Sequence, residues 1–314
     1  MNIKNSILYG SNFGFKSHLY SLKKMKFKNV YFYSPNIKKK KINLSKKYIL
    51  TKQQILKKNF DLITIATPPV IQKKIIHKHI NNKRNYLFLE KPLAENYLES
   101  KKIFNLLKKK RFRYFINFIF PNIGNFKNFK KILKNKVLIK GKYTWKFRQA
   151  YFKNLVPTWK IKNNLGGGLV NFYLIHVIFN LLDYFGPFKI KNIKYEGKKI
   201  VTKLNLLLLT KKNISIEIYI DINSSKNIHS IKFENSKNTF LLRNISNDWV
   251  KNFKILINDK KIKIKNYKEQ GRKELTHINF KKLISSKNLE SYYLNFELAH
   301  KYCDKINKHI KTHD

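Results

Sequence analysis

The chain has 314 residues, with 68 lysines and arginines against 17 aspartates and glutamates, a formal net charge of +51 at pH 7. A single cysteine, Cys303, excludes an intramolecular disulfide and favours a cytoplasmic location. The sequence shows no signal-peptide pattern, no apolar run of membrane-spanning length and no metal-ligand spacing. We therefore expect no membrane insertion and no metal, and the length predicts two domains.

The positive charge has two interpretations. Such a balance is typical of proteins that bind nucleic acid or an anionic membrane surface. The excess is, however, nearly all lysine and is spread along the whole chain, as codon bias in an A/T-rich genome would produce. Residues 127–131 mix lysines with an aromatic ring, as single-strand binders do, but Phe129 also fits the inward face of a helix. We expect no specific nucleic-acid partner and keep a nucleic-acid-associated basic protein as an alternative.

Strands that alternate with helices are predicted in the first part of the chain. The predicted strands cover residues 3–9, 29–33, 62–66, 86–89 and 114–118, and the predicted helices cover 15–24, 70–80 and 100–110. This alternation is typical of βαβ units and indicates an α/β domain with a parallel, Rossmann-type sheet. The domain is expected to span residues 1–118.

The first strand leads into the glycine loop Gly10-Ser11-Asn12-Phe13-Gly14. The loop departs from the full dinucleotide fingerprint, because Asn12 and Phe15 stand where the second and third glycines belong. Gly10 would still permit a tight turn, and the following helix would offer free N–H groups to a pyrophosphate. An ordinary strand–helix turn without a ligand is the alternative.

The apolar run Tyr86-Leu87-Phe88-Leu89 ends abruptly in Glu90-Lys91-Pro92. Asp61 is the single acidic residue that precedes Glu90. Because acids are so rare in this part of the chain, we interpret Glu90 as part of a site and not as an ordinary surface charge. Ligands of parallel sheets collect at the carboxyl ends of the strands, where a lysine followed by a proline can be aimed at a substrate. Lys91 is therefore the main catalytic candidate, with a solvated loop lysine as the alternative.

The second strand ends in Ser34-Pro35 without the acid that would bind the ribose 2′-hydroxyl of NAD. Serine followed by the lysines of residues 38–41 can accommodate a 2′-phosphate. The pattern slightly favours NADP over NAD.

The remainder, residues 119–314, is predicted to be an α+β domain with a large, mainly antiparallel sheet, because the spacing of its strands is hairpin-like. Predicted helices cover 122–133, 169–185, 275–284 and 289–308, and predicted strands cover 138–147, 190–195, 202–209, 214–220, 228–233, 239–242 and 253–257. Residues 204–209 are continuously apolar, which predicts a strand buried on both faces.

The order of the glycine loop, Thr67-Pro68-Pro69 and Glu90-Lys91-Pro92 resembles the N-terminal half of the Gfo/Idh/MocA oxidoreductases, the relatives of glucose–fructose oxidoreductase and inositol dehydrogenase. His18 also fits that family's first helix. In the second half the tryptophan, glycine cluster, helix histidine and closing glycine of the family are matched by Trp159, Gly166-Gly167-Gly168, His176 and Gly186.

The resemblance implies an NAD- or NADP-dependent oxidoreductase that acts on a sugar, nucleotide sugar or cyclitol and forms a homo-oligomer. It implies Lys91 and His176 as catalytic residues. Cofactor binding is assigned to Gly10, Ser11, Asn12, Phe13, Gly14, Ser34, Thr67, Pro68, Glu90 and Lys91. Substrate binding is assigned to Lys91, Trp159, Asn171 and His176. Hydride transfer from an alcohol also requires a base for the hydroxyl proton, which suits a histidine, and a cation beside it would stabilise the alkoxide.

The helix of His176 departs from the family. Phe172 stands one turn before His176, where the family usually has aspartate, and Asn171 lies five residues back, off the same α-helical face. Phe179 occupies a second position where aspartate is common. These departures leave open a catalytically idle NAD(P)-binding relative with a binding or regulatory role.

Overall fold

The computed structural model describes residues 3–10, 13–35, 48–80, 86–154, 158–264 and 268–311. The chain divides into two compact units, the first made of residues 1–119 and 272–297 and the second of 120–271 and 298–314. Within the described ranges no helix combines the length and the apolarity needed to cross a membrane.

The elements are numbered along the chain. The strands are β1 (Asn5–Tyr9), β2 (Asn29–Tyr33), β3 (Leu62–Ile65), β4 (Tyr86–Leu89), β5 (Arg113–Ile116), β6 (Lys140–Arg148), β7 (Phe188–Glu196), β8 (Lys203–Thr210), β9 (Ser215–Asp221), β10 (Asn223–Glu234), β11 (Thr239–Asn244), β12 (Lys254–Ile257) and β13 (Lys260–Lys261). The helices are α1 (Phe13–Lys24), α2 (Lys52–Leu56), α3 (Pro69–His79), α4 (Tyr97–Lys109), α5 (Gly124–Leu133), α6 (Ala150–Asn154), α7 (Ile175–Phe185), α8 (Arg272–Ser285) and α9 (Glu290–Lys311). A π-helical segment, Leu169–Leu174, runs directly into α7.

The first unit contains a parallel sheet in the order β2-β1-β3-β4-β5, which confirms the predicted Rossmann-type domain. Its inner strands are mostly apolar, as expected where helices cover both faces of a sheet, and all four residues of β3 are buried. Helix α2 is not among the helices predicted from the sequence. Thr51 and Gln54 form a capping box at its start, and this pattern is visible in the sequence.

The first unit also includes α8 and the beginning of α9, which the sequence analysis places in the second domain. The ring of Phe280 on α8 stacks on Phe88 of β4 with centroids 3.7 Å apart. Residues from the far end of the chain therefore complete the core of this unit.

The second unit contains a sheet in the order β13-β12-β11-β10-β6-β9-β8-β7. All neighbouring strands pair antiparallel except β6 and β9, which confirms the prediction of a large, mainly antiparallel sheet. The hairpin connections β7–β8 and β8–β9 follow the strand spacing seen in the sequence.

The prediction that residues 204–209 are buried on both faces is wrong. Leu204, Leu206 and Leu208 are fully buried, whereas Leu207 is 38% exposed. Successive side chains of a strand point to opposite faces, and β8 belongs to an antiparallel sheet with one buried face. An apolar run is thus compatible with a half-exposed strand.

A buried polar pair links the end of β1 to α3. The Tyr9 hydroxyl lies 2.6 Å from His79 Nε2, and both side chains are about 2% exposed. Burial, together with the nearby Lys78, lowers the pKa of His79 to about 4. Burial raises the pKa of Tyr9, so its hydroxyl keeps its proton and shares a hydrogen bond with the neutral imidazole.

We expect this pair to make the protein less stable in mild acid. The unfolded chain would protonate His79 near its ordinary pKa of 6.5, but the folded chain would do so only near 4, so stability is lost as pH falls between these values. Between about pH 7 and about pH 4.5 the loss should be about 2 kcal/mol. Denaturant unfolding of His79→Gln, whose amide can still accept from Tyr9, should show a correspondingly weaker pH dependence. An unchanged pH dependence would contradict this assignment.

Candidate functional site

Three strands of the first unit end at the same edge of the sheet. Tyr9 of β1 pairs with Ile65 of β3, which pairs with Leu89 of β4. The residues that follow these three strand ends are Gly10, Ala66 and Glu90. The structure therefore brings the glycine loop, the Thr67-Pro68 turn and the Glu90-Lys91-Pro92 turn to one edge.

The two glycines allow the start of α1 to pack closely over this edge. Gly10 has a φ of +122°, and a Cβ there would lie 2.5 Å from the carbonyl oxygen of Ala66. A Cβ on Gly14 would lie 3.1 Å from the Ala66 Cβ and 3.6 Å from Glu90 Oε1. Ser11 and Asn12 lie outside the described residues, and Phe13 is the first residue of α1. The free N–H groups at the start of this helix suit an anion such as a pyrophosphate.

The turn after β3 carries a polar atom suited to a ligand. Thr67 Oγ1 is buried and has no hydrogen-bond partner within the described structure. Pro68 caps the start of α3, with Pro69 in the first helical position, where a missing N–H costs nothing. A buried hydroxyl without a partner is costly unless a ligand or water bonds it, so Thr67 Oγ1 is a candidate ligand-binding atom at this edge.

The carboxylate of Glu90 is the centre of a buried polar network. Its Oε1 accepts hydrogen bonds from His18 Nε2 and Asn117 Nδ2, each at 2.9 Å. Because a carboxylate only accepts, His18 Nε2 carries a proton, and Nδ1 lies 2.6 Å from the Thr64 hydroxyl, within hydrogen-bond distance. Asn279 of α8 in turn donates to Asn117 Oδ1 at 2.9 Å. The five residues of this network come from five different places in the first unit: α1, β3, α8 and the turns after β4 and β5.

Glu90 is held in its ionised form. Burial raises the pKa of its carboxyl, but the hydrogen bond and charge of His18, with the Arg272 guanidinium and Asn117, bring that pKa below its ordinary value. Burial lowers the pKa of Arg272, and the negative charge of Glu90 opposes that effect. The site thus contains a fixed negative charge directly before Lys91.

Lys91 lies in a tightly bonded turn and is only 9% exposed. Gln72 of α3 bonds the backbone on both sides of it: its Oε1 accepts from Glu90 N–H at 2.9 Å, and its Nε2 donates to Glu90 O at 2.8 Å and Leu93 O at 3.0 Å. Gln72 is not among the site residues predicted from the sequence. A signal was available, because Gln72 lies four residues before the buried Ile76, on the apolar face of a predicted helix.

The end of β2 carries no acid, as the sequence indicates. Ser34 directly follows β2 and is half-buried. Lys38–Lys41, the cations invoked for a 2′-phosphate, lie outside the described residues.

The second unit places Trp159 beside the glycine cluster. A Cβ on Gly167 would lie 2.1 Å from the Trp159 carbonyl oxygen, so only glycine fits there. The Trp159 ring meets the Phe172 ring edge-on with centroids 5.4 Å apart, and Lys160 Nζ lies 5.3 Å from the centre of the Phe172 ring. The tryptophan and the glycine cluster are thus one packed feature.

The helix of His176 begins as a π-helix, which corrects the expected α-helix over 169–185. In a π-helix the hydrogen bonds join residues five apart, so the α-helical count that separates Asn171 from the face of His176 does not apply through this turn. Asn171 Oδ1 accepts from Asn307 Nδ2 of α9 at 2.8 Å. π-helical turns inside helices are frequent at functional sites.

His176 lies among aromatic side chains. Its ring stacks on Phe120 with centroids 4.9 Å apart, and it is 7% exposed. Asp183, the next acid along this helix, bonds Lys130 at 2.8 Å.

No set of three or more His, Cys, Asp or Glu side chains in the described part of the chain is placed to hold a metal ion.

A family comparison matches part of the first unit. Residues 7–118 match the GFO_IDH_MocA model, described as an oxidoreductase family with an NAD-binding Rossmann fold. This segment therefore resembles the NAD-binding domain of that family. The match confirms the family resemblance and the cofactor class, NAD or NADP. A search of curated protein sequences gives no significant match.

Solved structures of similar fold extend over the whole chain. They include a 3-ketoreductase from Actinomadura kijaniata in complex with NADP and TDP-benzene (TM-score 0.77, 11% identity, 98% of each chain covered). A levoglucosan dehydrogenase in complex with NADH and L-sorbose has a TM-score of 0.75 and 14% identity, covering 98% of this chain and 96% of that one. A biliverdin reductase from Synechocystis sp. PCC 6803 has a TM-score of 0.75 and 14% identity, covering 98% and 99%. At these identities the likeness shows a shared fold.

Proposed function

We propose that this protein belongs to the Gfo/Idh/MocA oxidoreductases and transfers a hydride between NAD(P) and a hydroxyl or carbonyl group of a sugar, nucleotide sugar or cyclitol. The observation that carries the proposal is Lys91, a nearly buried lysine in a bonded turn at the carboxyl edge of the sheet. Residues 1–118 would bind the cofactor, and residues 119–314 the substrate and a second copy of the chain.

Cofactor binding would use the edge formed by the three strand ends. The start of α1, reached over Gly10 and Gly14, would take the pyrophosphate. The buried Thr67 hydroxyl, beside Pro68, would bond the dinucleotide, and Ser34 would lie at the ribose of the adenosine half. The missing acid after β2 favours NADP, because a carboxylate there would repel a 2′-phosphate.

Lys91 would act on the oxygen of the reacting carbon. The nicotinamide ring accepts or supplies the hydride when it is bound. In oxidation, the C–H electron pair leaves as hydride and the O–H proton passes to a base; in reduction, the carbonyl oxygen gains a proton. The Lys91 amine can hydrogen-bond this oxygen and stabilise its developing negative charge. Glu90, the preceding residue, is held ionised and adds a negative charge to this turn.

His176, Asn171 and Trp159 would contact the substrate in the second unit. An imidazole can exchange the hydroxyl proton near neutral pH. The bond from Asn307 orients the Asn171 amide, and the packed Trp159 ring offers a flat apolar face of the kind that sugars and bases stack on.

The similar structures support a carbonyl or hydroxyl substrate without selecting one. One is a levoglucosan dehydrogenase with L-sorbose, another is a 3-ketoreductase with TDP-benzene, and a third is a biliverdin reductase. The sugar-type substrate is preferred because the tryptophan, glycine cluster and helix histidine of this chain follow the sugar-oxidising pattern.

A catalytically idle NAD(P)-binding protein is the second candidate. It is favoured by the surroundings of His176, where Phe172 and Phe179 replace acids and Asp183 is engaged by Lys130. A carboxylate at either position would orient the imidazole and stabilise its charged form, and a phenylalanine ring does neither.

An absorbance assay distinguishes the two candidates. Purified protein would be mixed with NAD(H) or NADP(H) and a panel of sugars, nucleotide sugars and cyclitols, and turnover followed through the reduced nicotinamide. The proposal predicts turnover of at least one compound of this panel. Tight cofactor binding without any turnover would favour the idle relative.

A further inference from the structure

Gln72 is a fully buried side chain whose contacts concentrate on one turn. It lies on α3 and is 0% exposed. All the hydrogen bonds that the described structure gives its amide go to the backbone of residues 90–93: Glu90 N–H, Glu90 O, Pro92 O and Leu93 O, at 2.9, 2.8, 3.2 and 3.0 Å. These groups lie on both sides of Lys91.

The chemistry of these contacts requires an amide. The Gln72 carbonyl accepts from one N–H while its NH₂ group, with two hydrogens, serves three carbonyl oxygens. A carboxylate could accept but not donate, and an aliphatic side chain could do neither. Either change would leave buried backbone groups unsatisfied, which is costly.

Residue 90 is therefore fixed twice. Gln72 holds its backbone, while His18 and Asn117 hold its carboxylate. Gln72 also bonds the carbonyl groups of residues 92 and 93. The backbone is therefore bonded directly before and directly after Lys91.

We propose that Gln72 is a positioning residue for Lys91: its amide fixes the backbone from which the lysine projects. The claim about Lys91's placement is independent of the function, whereas the consequence for turnover rests on the function proposed above. Gln72→Glu provides the test. The variant side chain keeps the shape and the hydrogen-bond acceptor of the amide and loses its NH₂ donor.

The test compares parent, Gln72→Glu and Ile76→Ala. Ile76 is 1% exposed on the same helix, and its alanine variant controls for general destabilisation. Acylation of individual lysines would be followed by mass spectrometry without cofactor, with the exposed Lys102 as internal reference. In Gln72→Glu at about pH 8, Lys91 should react about fivefold faster than in the parent, the scale of losing one net hydrogen bond. Ile76→Ala should leave the Lys91 rate near that of the parent.

Acid should rescue the variant. Burial raises the pKa of a carboxyl, so lowering the pH protonates the new glutamate and restores a donor. The excess Lys91 labelling of Gln72→Glu, relative to Lys102, should then shrink toward the parent value by about pH 5.5. With a turned-over substrate, kcat should fall by about tenfold or more while cofactor affinity stays within about threefold.

Two results would overturn the proposal. One is an unchanged Lys91 labelling rate in Gln72→Glu, and the other is an equal increase in Ile76→Ala. If the parent shows no cofactor binding or turnover, the proposed function fails, but the labelling result still decides the role of Gln72.

Discussion

Lys91→Ala is expected to lower turnover by about a hundredfold or more, the scale of losing one proton-transfer or charge-stabilising group. The reason is placement: Lys91 is 9% exposed in a turn whose backbone is bonded on both sides. Cofactor affinity should change only a few-fold, because the glycine loop and Thr67 are untouched. Steady-state kinetics together with a cofactor titration measures both quantities.

Lys73→Ala is the matched control. Lys73 also belongs to the first unit, where it bonds Glu95 at 2.6 Å and Glu99 at 3.1 Å. Its loss removes one positive charge near the same turn without touching residues 90–93. Equal losses of turnover in the two variants would show that charge in general, and not Lys91, supports the reaction. A Lys91→Ala enzyme with parental kcat would remove Lys91 from the chemistry altogether.

Gly10→Ala is expected to destabilise the first unit by roughly 2–6 kcal/mol, which combines a backbone conformation that costs about 1–3 kcal/mol with an overpacked contact of similar cost. The φ of +122° disfavours any side chain, and the new Cβ would stand 2.5 Å from a backbone oxygen of Ala66 that cannot rotate away. Hydrogen exchange of β1 and β3 amides reports the stability of this unit separately.

Gly186→Ala is the control variant that separates the cost of the backbone conformation from the cost of the close contact. Gly186 also has a positive φ, +70°, but a Cβ there meets nothing within 4 Å. It should therefore show only the backbone cost, about 1–3 kcal/mol, in the amides of the second unit. If Gly10→Ala costs no more than Gly186→Ala, then the close approach of β1 and β3 is not a constraint on the glycine loop.

The sequence predicts the features that depend on local pattern. Apolar runs that end in Gly10, Thr67 and Glu90 place three parallel strand ends correctly, because burial and turn chemistry are both local signals. The hairpin spacing of the second half likewise predicts the mainly antiparallel sheet.

The features that depend on distant partners are not predictable in this way. Arg272 and Asn279 reach the Glu90 network from the far end of the chain, and nothing in their neighbourhood indicates it. The π-helical turn before His176 shares its composition with an ordinary buried helix, so the sequence pattern predicts α-helical spacing at Asn171 where the structure is π-helical. Leu207 shows that an apolar run does not specify which face is covered.

Cofactor binding is the most direct test of the proposed function. Both the oxidoreductase and its catalytically idle alternative would have to bind NAD or NADP. Purified protein would be titrated with NADPH and, separately, with NADH, and binding followed by nicotinamide fluorescence or calorimetry. We expect saturable binding of one dinucleotide per chain, tighter for NADPH. Absence of binding to either dinucleotide at millimolar concentration, by a protein shown to be folded, would contradict the assignment.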